Sequence, residues 1–243
     1  MPMFKRVIFV FNNKSGNSFR IMKDLKQIKK IFSARFSQME YVECSILSDE
    51  LSVLIARYEK DPCLFVACGG DGTVTSVAEK IFSNPLYILS VMPYGTGNDF
   101  SRVIGIYKQA KDLEKMVTIF SGENKTIINF DLWGIEKKVF MNYFSLGYDA
   151  VVVDRFQKIR GYLPDLIKRP FVNRVLYLFS GVFHLFYGIP SGAMIKYGEK
   201  KIALAGCKAL VLTNINSYAG GKPLTKAVVC TDNQLNIFRL RSV

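Results

Sequence analysis

The stretch that most constrains the fold of this chain is CLFVACGGDGT, which runs from Cys63 to Thr73. Small and apolar residues lead directly into a glycine-rich turn that holds one carboxylate and one hydroxyl. Such a run predicts a buried strand of a parallel sheet. The next residues place apolar side chains at 74, 77, 78, 81 and 82, which is helical spacing. The turn is therefore predicted to join the carboxyl end of a strand to a helix N-terminus, where α/β sheets bind anions.

This glycine-rich turn has two interpretations when taken alone. The glycines either let backbone N–H groups approach phosphate oxygens, or they only satisfy a tight turn in which Asp71 caps the helix. A second buried-strand run at 86–93 opens into YGTGND at 94–99. Two successive strand–loop–helix units of this kind favour a shared phosphate and metal site over two plain turns.

Together these motifs resemble a known family. GGDGT at 69–73 and GTGND at 95–99, followed by Arg102, resemble the catalytic domain of diacylglycerol kinases. GGDGT alone also occurs in NAD kinases and resembles the phosphofructokinase loop, whereas the pair of motifs is more specific. The resemblance covers nearly all of residues 4–240 and includes accessory-domain segments at 129–131, 142–150 and 214–221.

The order of strands and helices predicts an α/β fold in two parts. Strands and helices alternate as βαβαβαβ over residues 1–125, which predicts a right-handed parallel α/β sheet. Later strands lack intervening helices and predict an antiparallel layer; they are expected at 125–134, 138–146, 193–197, 201–205 and 209–215. The resemblance implies an ATP-binding catalytic domain at 1–125 and an accessory β-sandwich domain at 126–243. That second domain is expected to hold a helical insertion at about 149–188 and to be truncated at its C-terminus.

Composition is that of a globular protein, with 49% hydrophobic and 22% charged residues. The five cysteines form no CxxC pair, which favours reduced, packed thiols and argues against a metal cluster. The first residues lead directly into a predicted strand, so no signal peptide is expected. We therefore expect a cytoplasmic protein that associates peripherally with membranes.

Positive charge is concentrated in the second half, where 131–243 carry 16 basic and 7 acidic residues. Much of this charge lies between Arg155 and Arg174, beside an apolar run at 175–187. That run is shorter than the roughly 20 residues that span a bilayer, so it is either a buried helix or a surface that rests on anionic lipid. The absence of a recognition motif argues against nucleic acid as a partner. His184, the single histidine, is interpreted as a core residue. The oligomeric state stays open, with a homodimer as one option.

The resemblance assigns site residues to three loops and four carboxylates. It implies that ATP is held by Asn12, Lys14, Ser15 and Gly16, by Gly69, Gly70, Gly72 and Thr73, and by Gly95, Thr96, Gly97 and Asn98. It implies a water-mediated Mg²⁺ network at Asp71, Asp99 and Asp131, and hard oxygen ligands with retained waters suit this ion. Asp232 matches the carboxylate proposed to take the proton of the lipid hydroxyl, and Asp71 is the second candidate for that catalytic role.

The expected function is an ATP-dependent lipid kinase that converts diacylglycerol in a membrane to phosphatidic acid. Two alternatives remain: a sphingoid-base or ceramide kinase, and a weak or inactive regulatory protein that binds nucleotide or lipid. The regulatory alternative draws on residues 232–236, DNQLN, where the family has Asp-Gly-x-Leu-Glu/Asp. Asp232 then only begins a turn, with Asn233 in place of the glycine.

Overall fold

The computed structural model describes residues 4–13, 17–122, 126–135, 138–162, 189–190, 192–197, 199–218, 221–223 and 228–241. Some sequence predictions fall outside these residues. They concern Lys14, Ser15, Gly16, the basic residues from 163 to Arg174, and the apolar run at 175–187 with His184. The predicted helical insertion at 149–188 is described only as far as residue 162, and that part is helical.

A four-stranded parallel sheet forms the first half of the chain, in the order β2–β1–β3–β4. Its strands are β1 (Arg6–Phe11), β2 (Glu40–Ser45), β3 (Cys63–Gly69) and β4 (Tyr87–Pro93). Phe11 pairs with Ser45 and with Cys68, and Gly69 pairs with Pro93, so the carboxyl ends of all four strands lie along one edge. The prediction of a parallel α/β sheet is confirmed.

Helices cover both faces of this sheet. They are α1 (Ser18–Arg35), α2 (Glu50–Arg57), α3 (Asp71–Ile81), α4 (Asp99–Val103), a 3₁₀ helix (Gln109–Lys111) and α5 (Leu113–Phe120). Side chains of a strand alternate between the faces, so Val7 and Phe9 pack in one core cluster with residues of α1 and α5. Ile8 and Val10 pack in the other cluster with residues of α2 and α3. Burial on both faces explains the uninterrupted apolar sequence of β3.

The second half is antiparallel throughout the strand pairs that the structure describes. Its elements are β5 (Trp133–Ile135), β6 (Lys138–Phe140), β7 (Tyr143–Gly147), α6 (Tyr148–Tyr162), β8 (Met194–Tyr197), β9 (Lys200–Ala203), β10 (Cys207–Thr213), β11 (Ser217–Tyr218), β12 (Lys222–Pro223) and β13 (Asn236–Arg241). Strands β13, β10 and β7 form a three-stranded sheet, and the others pair in twos. The prediction of antiparallel strands after the parallel sheet is confirmed.

Two strand predictions in this half were wrong in detail. The strand expected at 125–134 is absent over 126–132, and the strand expected at 138–146 is interrupted between β6 and β7. At the interruption Met141 is buried in the core cluster of α2 and α3, and the side chain of Asn142 donates to Asp71. These contacts hold both residues in the first unit, whereas β7 begins the second unit at Tyr143.

Contacts divide the chain into two compact units. The first comprises Met1–Asn142 with Ile215–Asp232, and the second comprises Tyr143–Asn214 with Asn233–Val243. This grouping differs from the predicted boundary after residue 125, because 126–142 and 215–232 pack with the parallel sheet. In the described part of the chain, none of the helices has the length and hydrophobicity needed to cross a bilayer.

Candidate nucleotide and phosphoryl-transfer site

Three loops meet at the carboxyl edge of the parallel sheet. The loop after β1 ends at Asn17, whose side-chain amide donates to the carbonyl of Tyr94 at 2.5 Å. The N–H of Tyr94 in turn donates to the carbonyl of Gly69 at 2.9 Å. The loops after β1, β3 and β4 are therefore tied to one another by direct hydrogen bonds, which is the convergence that the motifs predicted.

Glycines let the two motif loops touch. A Cβ built at Gly95 would overlap the Cα of Gly70, and one built at Gly70 would lie 3.0 Å from the Cα of Gly95. A Cβ at Gly69 would overlap the side chain of Thr73. Gly69, Gly70 and Gly95 are thus required by close packing of the loops, independently of any ligand.

Gly72 differs from these three glycines because nothing lies within 4 Å of a Cβ built there. It occupies the first turn of α3, is exposed, and borders a cavity of about 320 Å³. The lining includes Asn12, Ile46, Leu47, Gly72, Thr73 and Ser76. Glu79 and Lys80 also line this cavity, so it runs along α3 from the first turn to the last. Three of the residues predicted to hold ATP therefore share one cavity, and its end at the first turn lies where backbone N–H groups and the helix dipole favour an anion.

The carboxylate of Asp71 joins α3 to the second loop. Oδ2 accepts the N–H of Asp99 at 3.1 Å, and Oδ1 accepts the N–H of Phe100 at 2.9 Å. Oδ1 also accepts the side-chain amide of Asn142 at 2.8 Å. Asp71 thus supplies acceptors to the free N–H groups at the start of α4. A carboxylate has about four acceptor positions, so one remains for a water or a ligand.

The loop at 95–98 is closed by its own asparagine. Asn98 has a positive φ of 54°, which asparagine tolerates better than most residues. Its side chain accepts the N–H of Gly95 at 2.9 Å and donates to the Gly95 carbonyl at 2.7 Å. Asn98 is buried, whereas Thr96 is exposed and Gly97 accepts a hydrogen bond from Arg102. The side chain of Asn98 therefore holds the shape of the loop, and Thr96 is the side chain that faces outward.

The remaining acidic residues lie close to the segment 215–232. Asp99 is almost fully buried, with 1% of its surface exposed, and accepts the hydroxyl of Ser217 at 3.2 Å. The N–H of Asp131 donates to the carbonyl of Cys230 at 2.8 Å. Burial raises the pKa of the Cys230 thiol, and the nearby carboxylates of Asp131 and Asp232 add to this effect. Asp131 and Asp232 are 101 positions apart in sequence, yet both carboxylates raise the pKa of the same thiol.

The segment 232–236 begins with a turn that a glycine could also form. Asn233 has a positive φ of 55°, the left-handed conformation that glycine adopts most readily and asparagine tolerates. The half-buried Asp232 precedes it at the last turn before β13. Replacement of the glycine by asparagine is therefore compatible with the same turn.

A direct three-carboxylate metal site is not assembled among the described residues. No group of three or more Asp, Glu, His or Cys side chains there is placed to hold an ion. The carboxylate oxygens of Asp71 and Asp99 already accept hydrogen bonds from the protein. Contact with an ion through bridging waters fits this arrangement better than three direct carboxylate ligands. The water-mediated Mg²⁺ network stays a prediction.

Two polar residues of this region had been given no role from sequence. Asn142 donates to Asp71, and Ser217 donates to Asp99. Both are buried, and both lie in segments that carried the resemblance, at 142–150 and 214–221. For Asn142 the signal in the sequence is a polar residue directly after the apolar run at 139–141. Ser217 follows Asn214-Ile215-Asn216 and carries no such signal.

The fold and the joined loops define an α/β protein with a candidate ligand site at the carboxyl edge of its parallel sheet. A family model described as the diacylglycerol kinase catalytic domain matches residues 6–130, and one described as the diacylglycerol kinase accessory domain matches residues 139–241. The chain belongs to the diacylglycerol kinase family.

Individual relatives agree with this assignment. Diacylglycerol kinase iota of Mus musculus is 31% identical over 201 residues, which cover 72% of this chain and 18% of that protein. Diacylglycerol kinase 1 of Arabidopsis thaliana is 25% identical over 250 residues, which cover 92% of this chain and 33% of that protein. The chain thus spans a third or less of the length of these curated relatives.

A solved structure of a diacylglycerol kinase from Bacillus anthracis str. Sterne is similar in fold. Its TM-score is 0.65 at 21% identity, and the match covers 98% of this chain and 74% of that chain. At this identity the likeness establishes the fold alone.

Proposed function

We propose that this protein is an ATP-dependent lipid kinase that phosphorylates the free hydroxyl of diacylglycerol to give phosphatidic acid. Family membership implies a kinase that uses ATP. The observation that supports the donor site best is the cavity along α3 whose lining brings together Asn12, Gly72 and Thr73. Phosphoryl transfer needs mainly positioning and charge stabilisation, which glycine loops and helix N-termini supply.

Each motif has a distinct part in this proposal. The first turn of α3 binds the phosphates through backbone N–H groups, and the open space beside Gly72 lets them approach. Asp71 fixes the loop at 95–99 against α3, so that the two phosphate-binding loops keep one geometry. Asp232 accepts the proton of the lipid hydroxyl. Mg²⁺, bound with ATP, would neutralise phosphate charge beside Asp71, Asp99 and Asp131.

Transfer of labelled γ-phosphate tests the reaction and its substrate together. The acceptors would be diacylglycerol, sphingosine and ceramide in mixed micelles, with ATP saturating. We expect the label in phosphatidic acid. Labelled phosphate on sphingosine or ceramide would show that the protein is a sphingoid-base or ceramide kinase instead. Absence of transfer to all three, with ATP still bound in a filter assay, would favour a regulatory protein.

Substitution of Asp232 tests its role as the base. Asp232→Asn keeps the size of the side chain but cannot accept the proton, so the rate should fall by ~10²–10⁴-fold at unchanged ATP affinity. Asn233→Gly is the matched control, because it restores the glycine of the family at a position with positive φ and should leave turnover intact. Equal turnover of Asp232→Asn and the parent would show that Asp232 only begins a turn.

We also propose peripheral association with anionic membranes through basic residues of the second half. Arg155 and Lys158 on α6 are exposed, and Lys158 also forms an ion pair with Asp154 at 2.8 Å. Each basic residue near an anionic surface contributes about 1 kcal/mol to binding. Sedimentation with vesicles should show binding that increases with the anionic lipid fraction and decreases with salt; binding that responds to neither would contradict this proposal.

A further inference from the structure

A second cavity of the first unit lies beside α4, the helix that follows the loop at 95–98. Its volume is about 530 Å³, within the range of roughly 300–1,000 Å³ that small-molecule sites occupy. Helix α4 and described residues between 215 and 230 line it; the lining includes Arg102, Asn216, Ser217, Val228, Val229 and Cys230. We refer to it as the Arg102 cavity. It contains none of the residues predicted to hold ATP.

Arg102 is fixed in the wall of this cavity. Its Nε donates to the carbonyl of Gly97 at 3.3 Å, and its guanidinium lies 3.6 Å from the ring centroid of Tyr107. Gly221 has a positive φ of 93°, and a Cβ there would lie 3.0 Å from Cδ of Arg102. A glycine is thus needed at 221 for both conformation and space. A guanidinium has five N–H donors. Among the residues that the structure describes, one of them, the Nε–H, is bonded to the carbonyl of Gly97, so the other four can serve an oxygen-rich ligand.

Polar residues connect the Arg102 cavity to the acidic residues of the site. Ser217, in its wall, donates to Asp99 at 3.2 Å. Cys230 is also in its wall and lies two residues before Asp232; its backbone carbonyl accepts the N–H of Asp131 at 2.8 Å. Asp71 links this side to the other cavity, because it begins α3 beside Gly72 and accepts the N–H of Asp99. Asp71 and Asp99 are therefore joined by a hydrogen bond, with Gly72 of one cavity next to Asp71 in sequence and Ser217 of the other cavity bonded to Asp99.

We propose that the Arg102 cavity binds the glycerol end of the acceptor lipid, while the cavity beside Gly72 binds the nucleotide. This inference rests on the proposed function. Arg102 and Asn216 offer donors for the ester and hydroxyl oxygens of a glyceride, and the valines suit the first methylenes of its acyl chains. The occupant is a neutral glyceride whose polar oxygens and apolar chains match this mixed lining.

In the proposed transfer one bond forms for each bond that breaks. The oxygen of the free hydroxyl forms a bond to the γ-phosphorus, and the bond from that phosphorus to the β,γ-bridging oxygen breaks, so ADP leaves. The hydroxyl proton passes to Asp232. Arg102, held against the carbonyl of Gly97 in the second glycine loop, would pair with the phosphoryl oxygens as the group reaches the acceptor side.

Alkylation of Cys230 reports occupancy of this cavity without depending on catalysis. Cys230 is half-buried, whereas Cys44, Cys63, Cys68 and Cys207 are buried and serve as internal controls. The full chain would be treated with N-ethylmaleimide, and labelling of each cysteine followed by mass spectrometry. Saturating dioctanoylglycerol should slow labelling of Cys230 by about tenfold, which corresponds to a site about 90% occupied. ADP alone should leave the rate unchanged.

Each outcome of this footprint separates the cavity assignment from the proposed function. Unchanged labelling with dioctanoylglycerol, in protein that phosphorylates it, would overturn the cavity assignment and leave the function standing. Slower labelling without any turnover would support the cavity and contradict the function. Protection by ADP equal to that by the lipid would show that the cavity belongs to the nucleotide.

A matched pair of valines provides a second test. Val229 lines the Arg102 cavity and is 48% exposed. Val53 on α2 is 62% exposed and lines neither of the two cavities. Val229→Trp should raise the KM for dioctanoylglycerol by about tenfold, equivalent to the loss of one good contact, and leave the KM for ATP unchanged. Val53→Trp should change neither. Equal KM values for the lipid in the two variants, both folded by circular dichroism, would overturn the proposal.

Discussion

Replacement of Asp71 should reveal how much of the site depends on one carboxylate. Its oxygens accept hydrogen bonds from two backbone N–H groups at the start of α4 and from Asn142. Asp71→Ala leaves these three donors without their acceptor. A buried donor left unsatisfied costs about 1–3 kcal/mol, and loss of a helix cap costs about 1 kcal/mol. Because the bonds are only part-buried, water replaces some of them, and we expect a total loss of about 2–4 kcal/mol.

Asp71→Asn separates this structural role from chemistry. The amide oxygen can keep the bonds to Phe100 and Asn142, whereas the amide nitrogen replaces the acceptor of the Asp99 N–H. The expected loss is about 1–2 kcal/mol, from one unsatisfied donor. Activity should nevertheless fall in both variants if Asp71 takes part in binding phosphate or metal.

Urea unfolding gives the free energy for both variants, and hydrogen exchange locates the change. Amide exchange measured on peptides that contain 95–105 should become faster in Asp71→Ala, while peptides from β1 change less. A loss below about 0.5 kcal/mol in Asp71→Ala, which is the level of an ordinary surface substitution, would refute the capping role. Equal losses for the two variants would show that the retained amide oxygen accepts neither bond.

Two further perturbations test other parts of the molecule. Gly72→Ala should raise the urea midpoint, because alanine is favoured by roughly 0.5–1 kcal/mol over glycine in a helix and the position is open. The same substitution should weaken ATP binding in a filter assay, because the added methyl group crowds the phosphates. Unchanged ATP affinity would contradict the phosphate-loop assignment. Burial raises the pKa of Cys44 to about 12 and that of Cys68 well above its ordinary value. Their protonated thiols therefore contribute fully to the free energy of unfolding below the ordinary thiol pKa of 9.0, and this contribution is lost as the pH rises above it. The urea midpoint should therefore fall between about pH 9 and 12, and less steeply in a Cys44→Val, Cys68→Ala variant; parallel curves would refute this cause.

Parallel-strand positions and the three loops could be predicted from sequence because their signals are local. The apolar run from Cys63 to Cys68 is buried on both faces whatever surrounds it, and glycines mark where it must turn. The helical spacing from Val74 to Ile81 follows within a few residues. Because parallel strands end at one edge, the motifs after β1, β3 and β4 had to meet there.

The partners of the polar side chains were decided only by the tertiary structure. Asn142 reaches Asp71 across 71 positions of sequence, and Ser217 reaches Asp99 across 118. Neither contact leaves a periodic pattern, since each depends on closing a long loop rather than on neighbours along the chain. The same cause explains the wrong prediction of one continuous strand at 138–146: its apolar sequence permits a strand, but burial of Met141 and the bond from Asn142 to Asp71 interrupt it. Local sequence thus determined where the loops begin, and packing between distant segments decided which side chains they hold together.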